Sequence, residues 1–405
     1  MQLLINMTVS LSVLIFAVQK FHLTLRLAER GFMQKIGILG GGQLGRMLLQ
    51  AAANYPIEPW LMENDAECPA AHLCYHFVKG DIKDFDAVYS FGKNLNAITI
   101  EIENVNVEAL EKLETEGVTI DPNPSVLKTV KNKILQKQYY QRYEIPTAEF
   151  VITKNLQELD SRKNFLPAVH KLGEGGYDGR GVQVLETIED VGKGFDKPSV
   201  LEKLVNIHKE IALIVAINEK KETAIYPPVE MLFDPDLNVL DYQLCPADLD
   251  EKILWKLEAI ALTVVRHFDS PGIFAIEMFT DKKGDVFVNE TAPRVHNSGH
   301  HTIEAHYSSQ FDMLWRLILG YPLGNTDIIL PSIMINILGA EGYNGEVKYE
   351  GLDEVLQMEN AFVHLYGKKQ TKPGRKMGHV TVLNREKQDL LYKSKKIKRA
   401  LIAKC

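Results

Sequence analysis

Five glycines fall within the nine residues from Gly173 to Gly181, between an apolar run ending in Lys171 and another opening at Val182. As a bare hairpin such a stretch would only cost ordering entropy. As a flap it has a use, because its backbone N–H groups, with Lys171 and Arg180, can close over a triphosphate and part again to release it. The chain is therefore expected to carry a sheet with a mobile glycine lid over an anion.

A second glycine cluster lies upstream. Gly40-Gly41-Gly42-Gln43-Leu44-Gly45 follows the apolar run Lys35 to Leu39 and precedes a helical stretch from Arg46 to Asn54 and a strand at Ile57 to Glu63. That order opens an α/β unit with a parallel sheet. The glycines satisfy the dinucleotide fingerprint, with Glu63 near the distance of a ribose-binding acid. Their physical content is narrower: close backbone approach and helix N–H groups would hold any small phosphate, or make only a tight turn.

Ala97 to Ile102 reads as a later strand, Val118 to Pro124 as an exit toward a linker, and Lys128 to Tyr143 as a polar helix at a domain edge. Strands at Pro167 to Lys171, Val200 to Leu204, Ile211 to Ile217, Thr223 to Val229, Ile273 to Phe279 and Val286 to Glu290 suggest a largely antiparallel sheet. Helices are expected over Leu249 to Phe268 and Phe311 to Leu319, and a small glycine-rich unit from Pro331 to Leu383. The expected division is an N-terminal unit at 33–127, a central one at 128–325, a small C-terminal one at 326–390, and a basic tail at 391–405 read as a solvated helix.

Residues 1–32 lack the basic start of a signal peptide and the unbroken apolar length of a membrane span. They read as an upstream extension without a functional part, or as a weak membrane-associating helix. The formal charge of -7, with basic residues scattered through the main body, argues against wide nucleic-acid binding. Cys68, Cys74, Cys245 and Cys405 form no Cys-x-x-Cys pair and have no histidines at zinc-finger spacing, so they read as reduced thiols of a cytoplasmic protein.

Glu277 and Glu290 lie in strands joined by Asp281-Lys282-Lys283-Gly284. With a four-residue turn Glu277 faces Val288 and Glu290 sits diagonally beside it on the same face, about 7 Å away. Two such carboxylates repel unless a cation lies between them, which suits hard Mg²⁺ with substrate phosphates; without one they are exposed acids on a hairpin. Directly after them, Arg294, His296, Asn297, Ser298, His300 and His301 fall within eight positions, which packing explains poorly. Zinc on these histidines lacks convincing ligand spacing. The basic glycine-rich loop Tyr366 to His379 is either solvated surface or a phosphate clamp.

Taken in order from Lys35 to Leu383, these segments resemble the carboxyaminoimidazole ribonucleotide synthetase family of the ATP-grasp superfamily. The likeness is tightest at 41–47, 175–181, 289–300 and 372–379, where the chain reads Gly-Gly-Gln-Leu-Gly-Arg-Met, Gly-Gly-Tyr-Asp-Gly-Arg-Gly, Asn-Glu-Thr-Ala-Pro-Arg-Val-His-Asn-Ser-Gly-His and Lys-Pro-Gly-Arg-Lys-Met-Gly-His.

The resemblance implies a Rossmann-like N-terminal domain, an ATP-grasp domain of two subdomains and a small β-rich C-terminal domain, together α/β and α+β. It implies a homodimer that uses ATP and Mg²⁺, with Mn²⁺ as a substitute, to carboxylate aminoimidazole ribonucleotide with bicarbonate, the product passing to a separate mutase. It assigns the N-terminal glycine loop to the phosphorylated substrate instead of NAD. Carried over by position, Lys133 and Lys171 meet ATP phosphates under the flap of Gly176, Tyr177, Asp178, Gly179, Arg180, Gly181 and Val182. Glu202, Lys203, Leu204 and Val205 line the adenine pocket, and Glu210 takes the ribose. Glu277 and Glu290 hold the metal with Asn289 alongside.

Gln43, Leu44, Glu103, Asn297, Lys368, Arg375 and Lys376 bind the ribonucleotide by the same analogy. Arg294 stabilises the reacting phosphoryl group, and His296 or His300 moves a proton. Three positions depart from the family pattern: Lys133 stands for a frequent Arg, Val182 for a usual Gln and Phe233 for a common His near the nucleotide. Rival readings are a formate-dependent glycinamide ribonucleotide transformylase, an NAD-dependent oxidoreductase built on Gly40 to Gly45, and a nucleotide sensor without turnover.

Overall fold

The computed structural model describes residues 33–176, 181–233 and 240–405. The expectations for residues 1–32 and for Tyr177, Asp178, Gly179 and Arg180 lie outside the described residues. No described helix is long and apolar enough to cross a membrane.

The N-terminal unit is a parallel sheet of β1 (Gln34–Leu39), β2 (Ile57–Glu63), β3 (His76–Lys79), β4 (Ala97–Ile100) and β5 (Thr119–Asp121) in the order β3-β2-β1-β4-β5. The segment read as a linker exit is thus the fifth strand, with Thr119 beside Ala97. Between β1 and β2 the helix Gln43–Ala52 turns Met47, Leu48 and Leu49 inward. They pack against Phe311, Leu314 and Trp315 of the helix Gln310–Ile318, and Trp315 Nε1 donates to Leu48 O at 2.9 Å. That contact fastens the first unit to the second.

The central unit opens with a four-stranded sheet, β6 (Phe150–Thr153), β7 (Ala168–Leu172), β8 (Val182–Leu185) and β9 (Ser199–Lys203), ordered β6-β9-β7-β8. The flap connects β7 to β8. A larger antiparallel sheet follows from β10 (Ile207–Ile217), β11 (Thr223–Ile225), β12 (Val229–Phe233), β13 (Leu240–Cys245), β14 (Gly272–Asp281) and β15 (Val286–Ala292). The single strand expected over Thr223 to Val229 is two strands, because Pro227 and Pro228 cannot donate to a ladder.

The same sheet runs on into the C-terminal unit. β13 pairs with β16 (Ser332–Leu338), which lies beside β21 (Lys376–Leu383) and then β19 (Ala361–Leu365). Short ribbons of β17 (Gly345–Glu346) with β20 (Gln370–Thr371), and of β18 (Lys348–Glu350) with β22 (Ile402–Lys404), complete it. The last segment is no solvated tail: the helix Lys387–Ala400 buries Leu390 and Ile397, and Leu401 and Ala403 join the same core.

Candidate active site

Glu277 and Glu290 reach each other by a route that alternation alone does not predict. Thr280 pairs with Val286 and Met278 with Val288, so the register is one residue from the expected one. Continued unbroken, it would send Glu290 to the far face. A bulge absorbs Asn289 instead, and Glu277 pairs directly with Glu290. Burial, and then the Glu290 charge, push Glu277 up to about 8. Lys133, whose Nζ lies 2.6 Å from Glu290 Oε2, holds Glu290 down at about 2.

Lys133 owes its position to Asn132, which splits the expected single helix into Pro124–Lys131 and Lys133–Arg142. The Asn132 side chain accepts from the N–H groups of Ile134 and Leu135 and donates to Glu174 Oε1 at 2.9 Å, at the root of the flap. One helical turn on, Lys137 Nζ lies 3.1 Å from Glu202 Oε2, and Lys171 Nζ lies 3.0 Å from Glu202 Oε1. Burial alone would raise Glu202, but Lys171 and Lys137 outweigh it and hold the carboxyl below the usual range. Lys171 Nζ also donates to Asn289 Oδ1 at 2.8 Å. The expected phosphate-binding lysines and metal carboxylates therefore converge, and Lys137 and the Glu202 side chain join them.

Glu277 pairs with Ala212 of β10, which sets Glu210 two residues along on the same face. Val182 opens β8 opposite Lys171. The N–H groups of Lys203 and Leu204 already bond to Glu149 O and Pro167 O, so an adenine edge finds those two donors taken. Phe233 closes β12 and packs against the core around Met231 and Leu240.

On the other side of the carboxylates, His296 Nε2 lies 3.6 Å from Glu277 Oε1 and its Nδ1 2.9 Å from Ser298 Oγ. Arg294 Nε lies 2.9 Å from Glu103 Oε1. Asn297 is buried with both amide atoms lacking a hydrogen-bond partner, as expected of a group aimed at a ligand. His300 is set apart from them, packed fully buried among Phe311, Tyr366 and His379, and burial holds its imidazole neutral. Of the two histidines named for proton transfer, His296 is the one at the carboxylates.

Gln43 and the C-terminal loop meet across the chain. Lys368 Nζ donates to Gln43 Oε1 at 2.7 Å and to Lys376 O at 2.6 Å. Arg375 Nη1 bonds Gln370 O at 2.7 Å, and Leu44 packs against the inter-unit core.

The glycine loop itself offers less than expected. Gly41 N–H donates to Glu63 Oε2, and the N–H groups of Gly42 and Gly45 each donate to Glu101 at 2.6 Å. A Cβ at Gly45 would lie 2.7 Å from Gly40 O, so the turn admits no side chain there. Glu63, weighed as a ribose acid, is a clasp on the loop, and so is Glu101, which sequence reasoning did not single out. Its position at the end of β4, in line with the parallel strand carrying the glycines, was the available signal.

Residues 33–131 match the ribonucleotide synthetase preATP-grasp domain family, 138–311 the ATP-grasp domain family, and 332–393 the phosphoribosylaminoimidazole carboxylase C-terminal domain family. The crystal structure of N5-carboxyaminoimidazole ribonucleotide synthetase from Thermotoga maritima is similar at a TM-score of 0.85 and 38% identity, over 92% of this chain and 99% of that one. This chain belongs to the N5-carboxyaminoimidazole ribonucleotide synthetase family.

Another synthetase of the family, from Aspergillus clavatus in complex with ADP and 5-aminoimidazole ribonucleotide, is similar at a TM-score of 0.80 and 32% identity over 89% of this chain and 96% of that one. The chloroplastic phosphoribosylaminoimidazole carboxylase of Vigna aconitifolia is 35% identical over 86% of this chain, which spans 64% of that relative's length.

Proposed function

We propose that the chain is an ATP-dependent ligase that carboxylates the exocyclic amine of 5-aminoimidazole ribonucleotide with bicarbonate, giving N5-carboxyaminoimidazole ribonucleotide, ADP and phosphate. The observation that carries this reading is the direct opposition of Glu277 and Glu290 between a lysine cluster on one side and Arg294 with His296 on the other. Family membership and the ADP and ribonucleotide of the Aspergillus complex support the substrates.

Two carboxylates forced together, Glu277 raised by its burial and then by the Glu290 charge, form a donor set that a hard dication relieves. Glu277 and Glu290, with Asn289 alongside, would hold Mg²⁺ or Mn²⁺, which supplies charge neutralisation for phosphoryl transfer. Lys133 and Lys171 bind the transferring phosphates, as the cations nearest the carboxylates.

Bicarbonate is a poor electrophile until one of its oxygens becomes a leaving group. The γ-phosphoryl group passes from ATP to a bicarbonate oxygen, ADP departs, and carboxyphosphate forms beside Arg294. The exocyclic amine then attacks the carboxyl carbon, directly or as released CO₂, and the bond to phosphate breaks. His296 or the departing phosphate takes the amine proton. The flap from Gly176 to Val182 excludes the water that would hydrolyse the intermediate. Gln43, Lys368 and Lys376, which meet at one point, hold the ribonucleotide with Asn297, Leu44, Glu103 and Arg375. Family resemblance supports a homodimer and a separate mutase that consumes the product.

ADP release by the purified protein with Mg²⁺-ATP tests this. Turnover is expected with 5-aminoimidazole ribonucleotide plus bicarbonate and not with glycinamide ribonucleotide plus formate. Turnover with the second pair alone would move the chain to the formate-dependent branch.

A further inference from the structure

Behind the site lies a set of side chains that the proposed reaction does not use. Cys245 ends β13, His301 follows the short turn Asn297–Gly299, and His306 follows the helix Thr302–Ala305. All three are buried, and one ligand atom from each lies within 4.8 Å of the others. His306 Nε2 is 3.2 Å from His301 Nε2 and 3.7 Å from Cys245 Sγ. Sulfur and imidazole donors around one ion stand roughly 3.3–3.8 Å apart, so these positions need little movement to ligate.

The outer contacts are of the kind that orient ligating histidines. His306 Nδ1 donates to Thr326 O at 2.8 Å, leaving the Nε2 lone pair directed inward. His301 Nδ1 meets Gln243 Nε2 at 2.9 Å, and Gln243 Oε1 is buried without a partner. The same Gln243 nitrogen donates to Ser298 O at 2.6 Å, so His301 ligates through Nε2 only when its proton moves to Nδ1 and the amide gives up the Ser298 bond.

We propose that Cys245, His301 and His306 bind one thiophilic closed-shell cation, Zn²⁺ or Cu⁺, as a staple between β13 and the loop that carries His296. The soft sulfur and nitrogen donors separate this site from the hard oxygen pair at Glu277 and Glu290. Burial pushes the Cys245 thiol up and the two imidazoles down, so the site is a neutral thiol and two neutral imidazoles before binding. Capture of the ion forms a metal–sulfur bond and expels the thiol proton, one proton per ion. A single thiolate cancels the charge of Cu⁺ completely, whereas Zn²⁺ keeps a positive charge and needs a fourth donor, so charge balance in this buried place favours Cu⁺.

The test uses the full-length protein and no substrate. Metal content is measured after anaerobic incubation with Zn²⁺ or with Cu⁺ in the presence of Mg²⁺, both on native protein and on protein refolded with the ion, followed by desalting. One equivalent per chain is expected, with one proton released per ion in weak buffer and a thiolate charge-transfer band when Co²⁺ is the probe. The identity of the retained ion separates the two sources. Cys245→Ser and His306→Gln should each lower retention at least tenfold. Retention below a tenth of an equivalent with both ions, or retention unchanged in both variants, would leave only a hydrogen-bonded cluster and overturn the proposal. If neither variant folds, the wild-type stoichiometry and proton count decide alone.

Discussion

Glu277 and Glu290 share a face because Asn289 leaves the ladder, and the two acids then divide their roles by neighbourhood: Lys133 keeps Glu290 charged while burial raises Glu277. Glu290→Gln is expected to cut ATP turnover by about 10²–10³-fold, the scale of losing one electrostatic anchor of a transition state, with far-UV circular dichroism unchanged. Near-normal turnover would remove the metal assignment. Asp121 offers a test on stability. Buried at the end of β5, its carboxyl is pushed from 3.8 up to about 7, first by burial and then by Glu219. Below the lower value folded and unfolded chains are both protonated. Between the two only the folded chain keeps the proton, so stability falls as pH rises from 3.8 to about 7 and levels off above it. Asp121→Asn should flatten that slope in urea titrations and leave the variant more stable at alkaline pH by up to about 4 kcal/mol.

At the scale of elements, Asn132 joins three functions: it ends one helix, caps the next and holds the flap root through Glu174. Asn132→Ala should cost about 1 kcal/mol of stability and raise KM for ATP more than it lowers kcat, because Lys133 loses its fixed origin. Asn132→Asp, which restores the cap but not the donor to Glu174, should recover stability and only part of KM. Melting curves and initial rates on the same preparations separate the two effects.

Such junctions mark where sequence reading stops. Glycine clusters, paired acids and the histidine-rich loop were legible because each concentrates chemistry in a few adjacent residues. The Asn289 bulge was not, since a ladder and its register depend on pairing that alternation cannot report. Glu101 was not, since its partners at Gly42 and Gly45 lie 59 and 56 residues away. The cluster of Cys245 with His301 and His306 was not, for the same reason.

For the whole molecule, the continuity of one sheet from β15 to β19 means that the C-terminal unit is not an appendage. Lys368 reaches Gln43, and Lys376 O holds Lys368 there, only if that sheet sets the loop between β19 and β21 against the first unit. The terminal helix backs those strands with Leu390 and Ile397, spaced seven residues apart on one face and obscured in the sequence by the lysines around them. Substituting exposed lysines there, such as Lys395→Ala, should change stability by less than about 0.5 kcal/mol. Leu390→Ala and Ile397→Ala should each cost about 2–5 kcal/mol, the loss of a buried side chain plus the space it leaves.

The informative measurement is calorimetry beside kinetics. Because the large sheet passes through both units, the core variants are expected to lower the melting temperature of the main transition, without splitting off a separate early one. KM for the ribonucleotide should rise before KM for ATP does, since loosened strands displace Lys368 first and Lys133, anchored in the first half of the central unit, last. An early, separate transition with both KM values unchanged would mean that the C-terminal strands fold and function independently of the sheet they extend.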